Sequence, residues 1–216
     1  MGSNPTIGLI ISLLSRTVCG VHRLKSHFLA LGIISIISLV IGGAAPRPVS
    51  ARVGGVRAGA RHSFEIKSSA FKNGQRLPKQ YTADGADISP PLSWTRPPLG
   101  TKTLLIIMFD PDAPGPMPFL HWVVFNIPPQ VRSLAAHIPP HKHIAGLKGA
   151  EQGTNSFGGR GYGGPAPPPG KPHHYHIEIY ALKRKLSYAP DCFRCLQHAI
   201  AGYVLAQAGL RVTYGR

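Results

Sequence analysis

The stretch Gly153–Leu182 runs GTNSFGGRGYGGPAPPPGKPHHYHIEIYAL. A glycine-dense segment passes into a proline-dense one, and that passes into ten residues of period two. Glycine permits positive φ and close backbone approach, while proline fixes φ and removes a donor. The connection is therefore stiff and specifically shaped without regular structure of its own. From His173 to Leu182 the odd positions are His173, Tyr175, Ile177, Ile179 and Ala181; the even ones are His174, His176, Glu178, Tyr180 and Leu182. Successive strand side chains point to opposite faces, so the odd face turns into a core and the even face is wetter. His173 and Tyr175 open the buried face where the stiff loop arrives. Two polar rings there form either the floor of a pocket or buried groups with ordinary structural partners.

Two upstream apolar runs give this strand neighbours. Thr103–Phe109 (TLLIIMF) is uninterrupted and of strand length, which predicts a central strand covered on both faces. It ends in Asp110-Pro111-Asp112-Ala113-Pro114. Asp110 and Asp112, at i and i+2, can point the same way. They serve either turn chemistry, which Asp favours by bonding its own backbone, or a site, as an acid–base pair or metal ligands. Nothing nearby supplies the further oxygen ligands that calcium or magnesium needs, so no metal is expected. His121–Ile127 (HWVVFNI) is the next buried strand, with Val123, Phe125 and Ile127 placed on the face of His121. His121 and His173 each begin a buried strand, and that repetition favours a shared pocket. His137, His141 and His143 sit in a proline-containing loop without the supporting groups a metal site needs.

The flanks divide the chain. Residues 1–27 carry Arg16, Arg23 and Lys25 and no acid, Phe28–Ala45 is apolar, and Val49-Ser50-Ala51 offers small residues. This is the layout of a signal peptide ending at Ala51, so the protein is expected to be exported, periplasmic or secreted. Residues 28–45 are also long enough to serve as an uncleaved membrane anchor. Residues 52–62 form a Gly/Arg-rich linker, and the folded domain spans 63–216. Lys and Arg number 24 against eight Asp and Glu, but they are spread along the chain with no aromatic-interleaved basic stripe. Specific nucleic-acid recognition is not expected from that pattern.

Near the C-terminus, Asp191–Ala208 predicts a helix. Asp191 can cap it, Leu196, Ala199, Ile200, Tyr203 and Val204 follow helical spacing, and Gly209 suits its end. Gly202 inside it costs about 1 kcal/mol relative to alanine. Leu210–Tyr214 predicts a last short strand. Cys192 and Cys195 form C-x-x-C at the helix start. A structural zinc needs four ligands, and a thioredoxin-like motif needs a βαβ setting; neither is present. A surface disulfide or two incidental thiols remain, and export favours the disulfide. Gly159–Gly164 matches G-x-G-x-x-G in form but runs into Pro165-Ala166-Pro167-Pro168-Pro169, where no helix can follow, so no dinucleotide cofactor is expected. No G-x-S-x-G elbow occurs.

The motifs DPDAP at Asp110–Pro114, HWVVFNIP at His121–Pro128 and GxNSFGxxGYGGPxPPPGxPHxYxxxxYAL from Gly153 to Leu182 resemble the phosphatidylethanolamine-binding protein family. The resemblance is to its bacterial, Raf-kinase-inhibitor-like branch and covers residues 63–216. It implies a mainly β fold: a Greek-key antiparallel sheet packed on a smaller sheet, with peripheral helices including the C-terminal one. It implies an anion pocket lined by Asp110, His121, Gly163, Gly164, Pro165, His173 and Tyr175, with Asp112 beside it, and a cis peptide at Ala113-Pro114. It also marks departures: Tyr203 stands where the branch often has histidine, Val212 lies near a usual glycine, and C-x-x-C lies outside the pattern.

The residues fit that pocket chemically. A small anion needs donors, and His121, His173, Tyr175 and loop N–H groups can supply them. Asp110 would then orient an imidazole and favour its protonated form. The expected function is a non-enzymatic binding protein for phosphate or a phospholipid head group, with no catalytic residue and no cofactor. The alternatives are a kinase or protease inhibitor acting through surface loops, and a hydrolase using His121 and Asp110.

Overall fold

The structure, a computed structural model, describes residues 63–216. The expected leader or anchor (1–51) and the linker to residue 62 lie outside the described residues. Among the described residues no helix is long and apolar enough to cross a membrane.

Among the described residues the fold is mainly β, with two antiparallel sheets and one α-helix near the C-terminus. Strands β1 (Ile66–Lys67), β2 (Leu92–Trp94) and β5 (Ser133–Leu134) make a small sheet in the order β1-β2-β5. Strands β3 (Thr103–Asp110), β4 (Phe119–Ile127), β6 (Glu151–Gln152), β7 (His173–Leu182) and β8 (Val204–Tyr214) make the large one, ordered β6-β4-β3-β7-β8. The uninterrupted apolar run of β3 sits at its centre and is buried at every position. Leu104, Ile106 and Met108 of β3 face the small sheet, in a cluster with Ile66, Leu92, Trp94 and Leu134. Leu105, Ile107 and Phe109 face the other way, against Leu196 and Ile200 of the helix α1 (Phe193–Ile200). Each fully buried Leu or Ile is worth about 1.5–3 kcal/mol, so both covers stabilise the sheet. β7 alternates as expected, with Tyr175, Ile177, Ile179 and Ala181 buried; Tyr180 and Leu182 on its even face are covered on the α1 side.

Two register shifts in β4 correct the face assigned to His121. Met108 pairs with Trp122 and Phe109 with Leu120, so one step along β3 matches two along β4. His121 is the extra residue of a β-bulge, and a bulge re-aims the side chain it carries. Leu120, Val123 and Phe125 pack on the α1 side, while Trp122, Val124 and Ile127 pack on the small-sheet side. His121 turns towards Tyr175, with ring centroids 5.3 Å apart. A second shift between Leu104 and Ile106 absorbs Asn126, whose φ is +57°, and moves Ile127 off the face of Val123 and Phe125.

The C-terminal helix is shorter than expected. Cys192 caps it rather than Asp191, and it ends at Ile200. Gly202, at φ +73°, takes the chain out of the helix rather than being tolerated inside it. Val204–Tyr214 becomes an eleven-residue strand, because pairing along β7 from His173–Tyr214 to Leu182–Val204 outweighs helical spacing. Tyr203 stacks under Arg184, 3.8 Å from its ring centre, and Gly209 lies within the strand. Among the described residues no peptide bond is cis, so the Ala113-Pro114 bond is trans, contrary to expectation.

Candidate functional site

β3, β4 and β7 end at one corner of the large sheet. Carrying the β3–β7 register one residue past Phe109–His176 sets Asp110 opposite Tyr175. The bulge brings His121 across from the other side. Asp110, His121, His173 and Tyr175 thus line one cavity of about 250 Å³, together with Ala113, Pro114, Phe119, Phe157, Ala166, Pro167 and Pro168. That volume lies below the roughly 300–1,000 Å³ of sites for drug-sized ligands.

Each polar group is held by its far side. Asp110 is buried and both its oxygens are engaged. Oδ1 accepts the Asp112 N–H at 2.8 Å, and Oδ2 accepts from His173 Nδ1 at 2.7 Å. His121 is buried, and its Nδ1–H donates to the Gly163 carbonyl at 2.7 Å. Burial pushes the His121 imidazole below the ordinary 6.5, outweighing the opposing pull of that carbonyl and of Asp110. Burial first, and then the Asp110 carboxylate, push the Tyr175 phenol far up, so it keeps its proton. Among the described residues no fully buried side-chain nitrogen or oxygen lacks a partner. Among the described residues Nε2 of His121 and Nε2 of His173 make no hydrogen bond, while the Tyr175 hydroxyl lies within reach of the Asp110 carboxylate.

The glycine turn stands behind the cup. Gly163 N–H donates to the His121 carbonyl at 2.9 Å, closing a two-way clamp with the imidazole bond. Gly164 N–H donates to Asp87 Oδ1 at 2.7 Å, and the Pro165 carbonyl accepts the Ala83 N–H at 3.1 Å. The N–H groups of Gly163 and Gly164 are thus used internally. A Cβ on Gly164 would lie 2.6 Å from Asp87 Oδ1 and 2.8 Å from the Ala83 nitrogen, so only glycine fits there. Asp112 does not join the cup. It pairs with His174 at 2.7 Å on the exposed side, and that bond first of all holds its carboxyl below the usual range.

The sequence reading overlooked the aromatic wall. Phe119 and Phe157 lie 5.1 and 5.7 Å from the His121 ring. Phe119 could have been found from its place two residues before His121, and Phe157 from its place in the NSFGG turn. Asp87, at φ +52°, was overlooked as well; an acid two residues past Gly85 was the available signal.

A family model described as phosphatidylethanolamine-binding protein matches residues 67–215. The chain belongs to that family. Among its relatives, a UPF0098 protein of Aquifex aeolicus is 44% identical over 156 residues, covering 71% of this chain and 89% of that one. The UPF0098 protein YbcL of Escherichia coli is 38% identical over 127 residues, 56% of this chain and 69% of its own. The crystal structure of YbcL, described as a new member of the mammalian PEBP family, superposes with a TM-score of 0.65 at 32% identity, over 71% of this chain and 98% of that one. A putative family homologue from Chlamydia trachomatis, CT736, superposes with a TM-score of 0.61 at 34% identity, over 71% and 98% of the two chains. The family segment of this chain contains every residue of the cup.

Proposed function

We propose that this family member is a non-enzymatic binding protein whose cup takes a small anion, either phosphate or a phosphate-bearing head group. The observation that carries the reading is the convergence of two imidazoles and a phenol, from His121, His173 and Tyr175, in a small cavity walled by proline and phenylalanine. The family description, phosphatidylethanolamine-binding, supports a head group as the anion's carrier. The lining's one carboxylate, Asp110, has both oxygens engaged, which supports an orienting role over a nucleophilic one.

Protonation sets how the cup would hold an anion. His121 is neutral at neutral pH, and Nδ1 keeps its proton against the Gly163 carbonyl. Its Nε2 then presents a lone pair, which repels an anion. Binding draws a proton onto Nε2, and the imidazolium becomes the donor. Affinity therefore falls as pH rises, and binding takes up a proton. Calorimetric titration with inorganic phosphate and with phosphoethanolamine, near pH 5.5 and near pH 8, tests this. Tighter binding at the acid end, with heats that depend on the buffer's own ionisation enthalpy, is the expected result. Equal affinities would overturn the proposal. Export through residues 1–51 belongs to the same reading, and N-terminal sequencing of the mature protein checks it.

A further inference from the structure

Cys192 and Cys195 are joined in a disulfide at the start of α1, and neither lines the cup. We propose that this disulfide is a thiol–disulfide exchange site, and that Cys195 is the sulfur an incoming thiol attacks.

The bond is not what attaches the helix. Leu196 and Ile200 are buried against the sheet, and Phe193 packs on Phe109 with ring centroids 4.3 Å apart. A ring closed across only three residues also constrains the unfolded chain less than a long one would. The disulfide can therefore open without releasing α1.

The two sulfurs differ in access and in what holds them. Cys195 is exposed and lines an open depression of about 600 Å³ with Tyr188, Pro190, Asp191, His198 and Ala199. Cys192 is half-buried, is absent from that depression and caps the helix. Its Sγ accepts the Cys195 N–H at 3.0 Å, and no acid lies in the first helical turn. A backbone N–H and the positive end of the helix both stabilise a thiolate on Cys192. In exchange, the sulfur whose thiolate is more stable leaves faster, and the accessible one is attacked. Both criteria give the same assignment.

The chemistry balances with thiols as the only reductant. A thiolate RS⁻ attacks Cys195 Sγ, an RS–Sγ bond forms, the Sγ–Sγ bond breaks, and the electron pair leaves on Cys192 as its thiolate. A second RS⁻ attacks the R sulfur of the mixed disulfide, releasing RS–SR and the Cys195 thiolate. Two electrons pass from two thiols to the protein, and the two thiol protons end on Cys192 and Cys195. His198, one turn beyond Cys195 in the same depression, is placed to accept the proton of an incoming thiol.

The test uses the oxidised full chain in a graded series of reduced and oxidised glutathione, quenched with acid, alkylated and mapped by mass spectrometry. Circular dichroism in each buffer reports the sheet. The expected result is a dithiol fraction that rises across the series while the sheet signal holds, with the trapped glutathione adduct on Cys195. A disulfide that stays closed in every buffer that leaves the sheet intact overturns the proposal. So does an adduct found on Cys192. Phosphate affinity plays no part in the readout, so failure here is distinct from failure of the anion cup.

Discussion

Replacing Asp110 by asparagine asks one side chain to do with a single oxygen what it now does with two. In the wild type one oxygen takes the Asp112 N–H and the other takes His173 Nδ1. If the amide oxygen of Asp110→Asn serves His173, its NH₂ confronts the Asp112 N–H and leaves that donor unpaired, costing about 1–3 kcal/mol. The cheaper arrangement keeps Asp112 bonded and turns the NH₂ on His173 Nδ1, which must then present its lone pair. The imidazole proton moves to Nε2, facing the cavity. A hydrogen bond to a charged group is worth about 1.5–3 kcal/mol and a neutral one about 0.5–1.5, so the exchange loses about 1–1.5 kcal/mol. For a domain of this size that lowers Tm by roughly 2–6 °C. Phosphate affinity rises with that change of tautomer, because the cavity-facing Nε2 turns from a lone pair into a donor. Nitrogen-detected NMR of the His173 ring reports the tautomer, and thermal unfolding and calorimetry report the two energies. A variant whose ring proton stays on Nδ1, with Tm and affinity unchanged, refutes the role given to Asp110.

Three further outcomes follow from the same geometry. His121 is held below the ordinary imidazole value of 6.5 in the folded state, so its contribution to stability is complete above that pH and is lost as pH falls from there through the folded value; His121→Gln should flatten the acid side of a plot of Tm against pH. Gly164→Ala forces a methyl into the Ala83 and Asp87 contacts and should lose about 2–5 kcal/mol from overpacking and the displaced charged hydrogen bond, read as a fall in denaturant midpoint at constant m. Asp84 is held at about 2 by its hydrogen bonds to Arg216 and then Tyr214, so Arg216→Gln should raise it towards the ordinary 3.8 in a carbon-detected NMR titration.

Much of the scaffold was legible because it rests on side-chain periodicity. The unbroken TLLIIMF run has no polar face, so a central, doubly covered strand was the only economical place for it. The alternation of β7 likewise announced which of its residues are buried. The four cup residues were nominated from two strand openings, a turn acid and the family motifs, but nothing local says that segments so far apart meet; pairing of β3 with both neighbours does that. The β4 bulges left no mark on the sequence, since an extra strand residue looks like any other until its partner strand is in view. Helix against strand is ambiguous at Val204–Ala208 because Ala206, Ala208 and the following Gly209 carry too little apolar contrast to distinguish period two from 3.6, and Gly202 reads equally as a cost inside a helix or as its stop.

The extra residue in β4 has an engineering consequence. Strike out His121 alone, and Leu120 and Trp122 fall into an unbroken ladder against Phe109 and Met108, each still facing the layer it now fills. One of the four cup residues is thus spliced into the sheet as a one-residue insertion, and a variant lacking it lies a single codon away.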